Sequence, residues 1–284
     1  VPAAAGEVAV YRAAALAVFR QVAAEGRHML TEPEAKAVAG AYGIPVPETI
    51  VARSADEVGE AAARLLETSR KVAVKLLSKT VTHKSDVGGV VLNIETAAAA
   101  REASQGILRR LHQHVPGTQL EGFAVQPMIE RKQAQELILG ISRDAIFGPL
   151  VLFGAGGVAV EVMDDTAIAL PPLDDVLAGD LIERTRIARL LAGFRDRLPA
   201  DRDAIVGALK GLSQLVVDFP CVMAADINPL LADGDGVIAL DARIEIDPAA
   251  VEQQAPNPKL IIRPYPGTWA KDETVGGRHY HIRP

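Results

Sequence analysis

The sequence predicts an α+β (α/β) protein built as two lobes, and three observations predict it. Capped helical segments alternate with short apolar strands up to Pro116-Gly117. Beyond that point several strands follow one another before two helices and a closing hairpin. No segment recurs at a fixed period, which removes repeat architectures. At 284 residues, 49% hydrophobic and 23% charged, the chain has ample length for one large core or two smaller ones. The predicted divisions are an N-terminal helical segment (1–27), a first lobe (28–119), a second lobe (120–247) and an extended tail (248–284).

Glu7 to Ala24 is Ala-rich with apolar residues near helical spacing and reads as a surface helix. Thr31-Glu32-Pro33-Glu34 is a strong helix start, because Glu34 can reach back to the Thr31 backbone. Tyr42-Gly43 stops that helix before the extended Ile44-Pro45-Val46-Pro47. Ser54 begins a second capped helix running to about Thr68. A strand (72–77), a polar loop (78–89), a strand (90–94) and a long helix (96–114) complete the first lobe. Strands over 123–128, 137–141, 150–153 and 158–162 open the second, then helices over 181–193 and 202–217 and strands over 222–231 and 237–246. The Pro-rich tail reads as a linker or surface strap, and Tyr280-His281-Ile282-Arg283-Pro284 reads as a cut end.

The net charge of −6 argues against a nucleic-acid or anionic-membrane footprint, though not against an anionic ligand held by local donors. Cys221 is the only cysteine, so an intrachain disulfide and a thiolate metal cluster are both ruled out, and a cytoplasmic setting is expected. No apolar run approaches the roughly 18 residues of a membrane span.

The most informative segment is Asp226-Ile227-Asn228-Pro229-Leu230, a turn at Asp233-Gly234-Asp235-Gly236, and Leu240-Asp241-Ala242-Arg243. Centring the turn between Gly234 and Asp235 sets Asn228 opposite Asp241 and Asp226 opposite Arg243. Alternation puts those four with Glu245 on one face, and Ile227, Leu240 and Ile244 on the other. An amide oxygen beside a carboxylate suits Mg²⁺, which takes one or two carboxylates plus substrate phosphates. The same pattern fits the wet face of an antiparallel sheet with Asp226–Arg243 as a surface pair.

Lys75 shares a strand face with Ala73 and Leu77, either as an edge-strand solubility device or as a cation aimed into a cleft. His83-Lys84-Ser85-Asp86-Val87-Gly88-Gly89 downstream supplies donors and glycines that allow backbone N–H groups near an anion, or simply a turn. Neither a Walker motif nor a G-x-G-x-x-G fingerprint is present.

Taken in order over residues 28–247, these segments resemble the ATP-grasp domain of NDP-forming acyl-CoA synthetases, in particular the beta subunit of ADP-forming acetate–CoA ligase. Val125-Gln126-Pro127-Met128, Phe147-Gly148-Pro149-Leu150 and Phe153-Gly154-Ala155-Gly156-Gly157 with Glu161 belong to the same set. The resemblance implies an ATP-grasp fold, with ATP or ADP and Mg²⁺ clamped between two lobes. It implies that Lys75, Lys84 and Ser85 meet phosphates, that Gln126, Met128 and Glu130 form the adenine hinge, and that Glu136 contacts the nucleotide. Asn228 and Asp241 match the Mg²⁺ ligands, and His83 a second phosphoryl carrier or a phosphate ligand. The implied partner is a CoA-binding domain carrying a phosphohistidine. Two departures stand out: Arg131 to Gln135 lacks the usual glycine, and Arg243 replaces a commoner lysine. Arg263-Pro264-Tyr265-Pro266 and Ile282-Arg283-Pro284 resemble a join to a GNAT acetyltransferase domain, which keeps a non-catalytic module sensing nucleotide or acyl-CoA as an alternative. A carboxylate–amine ligase is a further alternative.

Overall fold

Among the described residues, two larger antiparallel sheets, each with its own helical cover, form the bulk of the fold, beside one two-stranded hairpin. The computed structural model describes residues 5–78, 87–114, 120–157, 165–193, 195, 198–253, 256–261, 271–276 and 278–282. His83, Lys84, Ser85, Glu161, the strand expected over 158–162 and the join at 263–266 and 283–284 lie outside the described residues.

The front sheet has the order β1 (Ile50–Ala52), β4 (Gly122–Pro127), β2 (Val72–Leu77), β3 (Val90–Ile94), antiparallel throughout. Helices α3 (Ala55–Leu66) and α4 (Ala97–His114) cover it, burying Val58, Leu65, Leu76, Ile107, Leu111 and Phe123 in one core. Ser54 caps α3 as expected, its hydroxyl accepting from the Glu57 N–H at 3.2 Å. The sequence reading gave β4 to the second lobe, yet it pairs with β2 from Val72↔Pro127 to Leu77↔Gly122. It is a central strand with Phe123, Ala124 and Val125 all buried, so only a sheet with both neighbours in place satisfies it.

The rear sheet runs β10 (Ala242–Ile246), β8 (Val222–Asp233), β5 (Gln135–Asp144), β6 (Gly148–Ala155), β7 (Thr166–Ala169), with β9 (Gly236–Ala239) also on β8. Its core holds Leu137, Phe153, Leu209 and Phe219 together with Phe19 of α1 (Ala5–Ala24) and Val38 of α2 (Glu32–Ala41). Helix α2, which the sequence places with the first lobe, therefore packs into the second. The reason is the strand-like lead-in: Leu30 N–H donates to Ile244 O at 3.0 Å and Ile246 N–H to His28 O at 2.7 Å. That pairing seats the start of α2 directly beside β10. The cap there forms as read, with the Thr31 N–H donating to the Glu34 carboxylate at 2.7 Å.

Three further expectations are corrected. The single helix expected over 181–193 is two, α5 (Asp175–Glu183) and α6 (Ala188–Leu191). Backbone N–H groups of Arg186 and Ile187 donate instead to the buried Asp165 carboxylate, at 2.6 and 2.7 Å, which ends the first helix. Helix α7 (Arg202–Asp218) follows, close to its expected span. The closing strand over 237–246 is split into β9 and β10 at Leu240-Asp241. The tail is not a single extended strap, since β11 (Lys271–Val275) and β12 (Arg278–Ile282) pair as an antiparallel hairpin, with Gly276 at φ +60° after β11. Among the described residues no helix is long and apolar enough to cross a membrane.

Candidate functional site

The rear contribution to the site comes from an interruption in β8. Against β9 the register runs Asp233↔Gly236 to Leu230↔Ala239, and against β10 it resumes at Ile227↔Ala242 and Asp226↔Arg243. Between the two, Leu240 N–H donates to Pro229 O at 3.0 Å, so the same register passes through and faces Asn228 with Asp241. On the other edge β5 pairs Leu137↔Leu230 and Leu139↔Ile227, leaving Asn228 and Pro229 against Ile138 alone. Pro229 has no N–H for the ladder, and a bulge at this point re-aims side chains out of the regular alternation. One consequence was not read from the sequence: Leu240, expected on the core face with Ile227 and Ile244, lines the cleft.

The front contribution is Lys75, on a regular stretch of β2 opposite Ala124 and Val90. Its Nζ donates to Glu32 Oε1 at 2.6 Å and to Leu240 O at 3.2 Å, joining the two sheets. Glu32 also accepts from Lys36 Nζ at 2.9 Å, one turn along α2, and Lys36 donates on to Gln126 Oε1 at 2.5 Å. Both Glu32 and Lys36 are buried. Burial pulls the Lys36 ammonium down to about 8, against the raising effect of Glu32 and with a further lowering from Lys75.

Lys75, Gln126, Met128, Asn228 and Asp241 all line one cavity of about 270 Å³, shared with Glu32, Leu92, Ile129 and Arg243. Its oxygen donors are held in place. Asn228 Oδ1 accepts from the Gly157 N–H at 3.1 Å, and Asp241 Oδ1 from the Ala242 N–H at 3.0 Å. Each oxygen type has more than one lone pair, so these bonds orient it without exhausting it. Burial raises the Asp226 carboxyl above its usual range, opposed by Arg243 across the strand pair and reinforced by Asp241.

Glu130 and Glu136 stand outside this lining. Glu130 is exposed and sits 3.6 Å from Lys71 Nζ. Glu136 precedes the fully buried Leu137, so strand alternation turns it to the opposite face, over Gly157. Gly157 lies beneath that carboxylate at φ +64°, a backbone conformation that favours glycine.

A model of the ATP-grasp domain family matches residues 21–246. The chain belongs to the ATP-grasp family. Over 227 residues it is 35% identical to the beta subunit of ADP-forming acetate–CoA ligase I from Pyrococcus furiosus, covering 80% of this chain and 95% of that one. It is 34% identical to the ADP-forming 4-hydroxybutyrate–CoA ligase of Nitrosopumilus maritimus, over 83% of this chain and 33% of the relative. Among solved structures, the dinucleotide-forming acetyl-coenzyme A synthetase 1 of Ca. Korarchaeum cryptofilum, in complex with coenzyme A, Ca-AMPCP and HgCl⁺, matches with a TM-score of 0.76 at 35% identity. That match covers 80% of this chain and 97% of the other. The same enzyme with coenzyme A and Mg-AMPPCP, its phosphohistidine segment pointing towards the nucleotide binding site, gives 0.70 at 33% identity over 82% and 100%. The Pyrococcus and Nitrosopumilus relatives are ADP-forming CoA ligases, and this chain is a ligase component.

Within the ATP-grasp frame, one departure in the hinge finds a local use. Arg131 Nη1 donates to Asp233 Oδ1 at 2.9 Å and to Gly236 O at 3.0 Å, tying the segment after β4 to the hairpin turn. Sequence reasoning missed Glu32 and Lys36 as members of the site. Their i, i+4 spacing was the available signal, on a helix whose neighbours Ala35, Val38 and Ala39 are all buried.

Proposed function

We propose that this chain holds ATP or ADP with Mg²⁺ and passes a phosphoryl group between the nucleotide and a histidine of a separate CoA-binding domain, as one half of an ADP-forming acyl-CoA ligase. The observation that carries the reading is the convergence of Lys75 from the front sheet with Asn228 and Asp241 from the rear one on a single cavity. The donor set fits the metal: one amide oxygen and one carboxylate, with phosphate oxygens left to complete the shell. Bound there, Mg²⁺ would supply charge neutralisation of the polyphosphate.

The protein's own part is positioning, which is most of what phosphoryl transfer asks of it. Lys75 sets a positive charge against the phosphates, while Asn228 and Asp241 fix where the metal sits. Leu92, Pro127, Met128 and Ile129 give the cavity apolar walls suited to a base, with the Gln126 amide beside them. His83, Lys84 and Ser85 follow Lys75 in the chain and are assigned in this reading to the phosphate side, His83 as carrier or ligand. Glu130 and Glu136, outside the cavity, are assigned no direct contact with the base in the open cleft.

Asp241→Ala should lower phosphoryl transfer at least about a hundredfold in the chain reassembled with its CoA-binding partner, in line with loss of a fixed electrostatic group at a transfer site. Its far-UV circular dichroism should match the parent, because Asp241 lies at a strand break rather than in a core. Unchanged turnover in a folded Asp241→Ala would refute the assignment.

A further inference from the structure

We propose that Glu32 and Lys36 are positioning residues for Lys75, so that a cluster of two lysines and one carboxylate, not Lys75 alone, sets the phosphate end of the cleft. The inference rests on the nucleotide reading above and deepens it.

The N-cap hydrogen bond of helix α2 does not come from Glu32. Its cap is supplied by Glu34, whose carboxylate takes the Thr31 N–H. Nor does stability explain a carboxylate and an ammonium with side chains only 3% exposed. Taking both out of water carries a desolvation penalty that apolar residues of similar size would avoid. What the pair does is geometric. Glu32 Oε1 accepts from lysines on two different sheets' elements, Lys36 of α2 and Lys75 of β2. An ammonium has three N–H donors. Glu32 and the Leu240 carbonyl take two of those on Lys75, whose side chain still lines the cavity. A long flexible side chain is thereby held in one place before any anion arrives, which removes its ordering penalty from the binding step.

Lys36 solves the electrical problem this creates. Glu32 alone would neutralise Lys75 and leave the pair without net charge. With Lys36 sharing the same carboxylate oxygen, the cluster carries two positive charges against one negative. Lys36 further donates to Gln126 Oε1, so the cluster also orients a side chain of the hinge wall. The anion-facing charge and the hinge are thus set by one buried group on the first turns of α2.

A double-mutant cycle on the full 284-residue chain tests this, with Mg·ADP binding followed by calorimetry. Glu32→Gln, which keeps the shape and removes the charge, should weaken Mg·ADP about tenfold in the parent and less than about twofold in a Lys75→Met background. That loss of effect is the signature of a residue acting through Lys75, since a merely structural defect would weaken both backgrounds alike. Equal weakening in both, or unchanged or tighter binding by Glu32→Gln alone, overturns the proposal while leaving the nucleotide reading standing. Should Glu32→Gln fail to fold, Lys36→Met replaces it in the cycle, because it exchanges a buried charge for an apolar chain of similar length; the same two outcomes then decide. If the parent chain binds neither Mg·ADP nor Mg·ATP, the nucleotide reading fails and this inference fails with it.

Discussion

The two sheets deliver their functional groups in opposite ways. The front sheet keeps its ladder unbroken at Lys75, which is paired on both sides, and reaches the cleft with a long side chain. The rear sheet uses short side chains and breaks its ladder to aim them. Asn228 and Pro229 oppose a single residue of β5, and the hairpin's second strand is interrupted at Leu240-Asp241. The contrast fits the roles proposed above for each group. A cation that meets phosphates can be steered by acceptors around its tip, and Glu32 and the Leu240 carbonyl are those acceptors. Oxygen ligands of a small hard cation need fixed directions, which a bulge held by the Gly157 N–H provides.

This difference can be broken experimentally by asking which contribution depends on the metal. Lys75→Met should weaken nucleotide binding about tenfold to a hundredfold, whether or not Mg²⁺ is present, because it removes a charge-assisted contact to the phosphates. Asn228→Ala should weaken it about tenfold with Mg²⁺ and leave metal-free ADP binding within about twofold. Titrations of both variants with and without a chelator read the two outcomes. Equal metal dependence for Lys75 and Asn228 would mean that the sheets do not divide the work in this way.

How much of this could be read from the amino-acid order depends on whether the signal was local. The hairpin was legible in register because Asp233 to Gly236 is an unambiguous turn, and Asp226↔Arg243 pairs as counted from it. The caps at Thr31 and Ser54 were legible for the same reason. Leu240 was misread because alternation was carried through a strand break that only the fold reveals. Strand β4 was assigned to the wrong sheet because chain order cannot say which neighbour a central strand will find. Glu32 and Lys36 were visible as a helix-start residue and a helical lysine. Their meaning required knowing that residues 28–30 run along β10 and bring α2 to within reach of Lys75.

A smaller effect sharpens the comparison at the seam between the sheets. Lys36 is buried, and its ammonium is pulled down to about 8 from an ordinary value of 10.5, chiefly by desolvation. Below about pH 8 the group is charged in both the folded and unfolded chain, and the folded state bears the whole burial penalty. Between about 8 and 10.5 the folded chain gives up the proton while the unfolded chain keeps it. The unfolded state then binds more protons, so this group's contribution to stability rises with pH across that window. Lys36→Met removes the penalty at every pH. The stability difference between Lys36→Met and the parent should therefore move against the variant by about 3 kcal/mol as pH rises from below about 8 to about 10.5, read from urea denaturation of both proteins at matched pH. Groups remote from Lys36 cancel in that difference. A gap that stays flat across the window would mean that Glu32 and Gln126 hold Lys36 charged throughout, making the seam a permanent ionic tie rather than one that loosens in alkali.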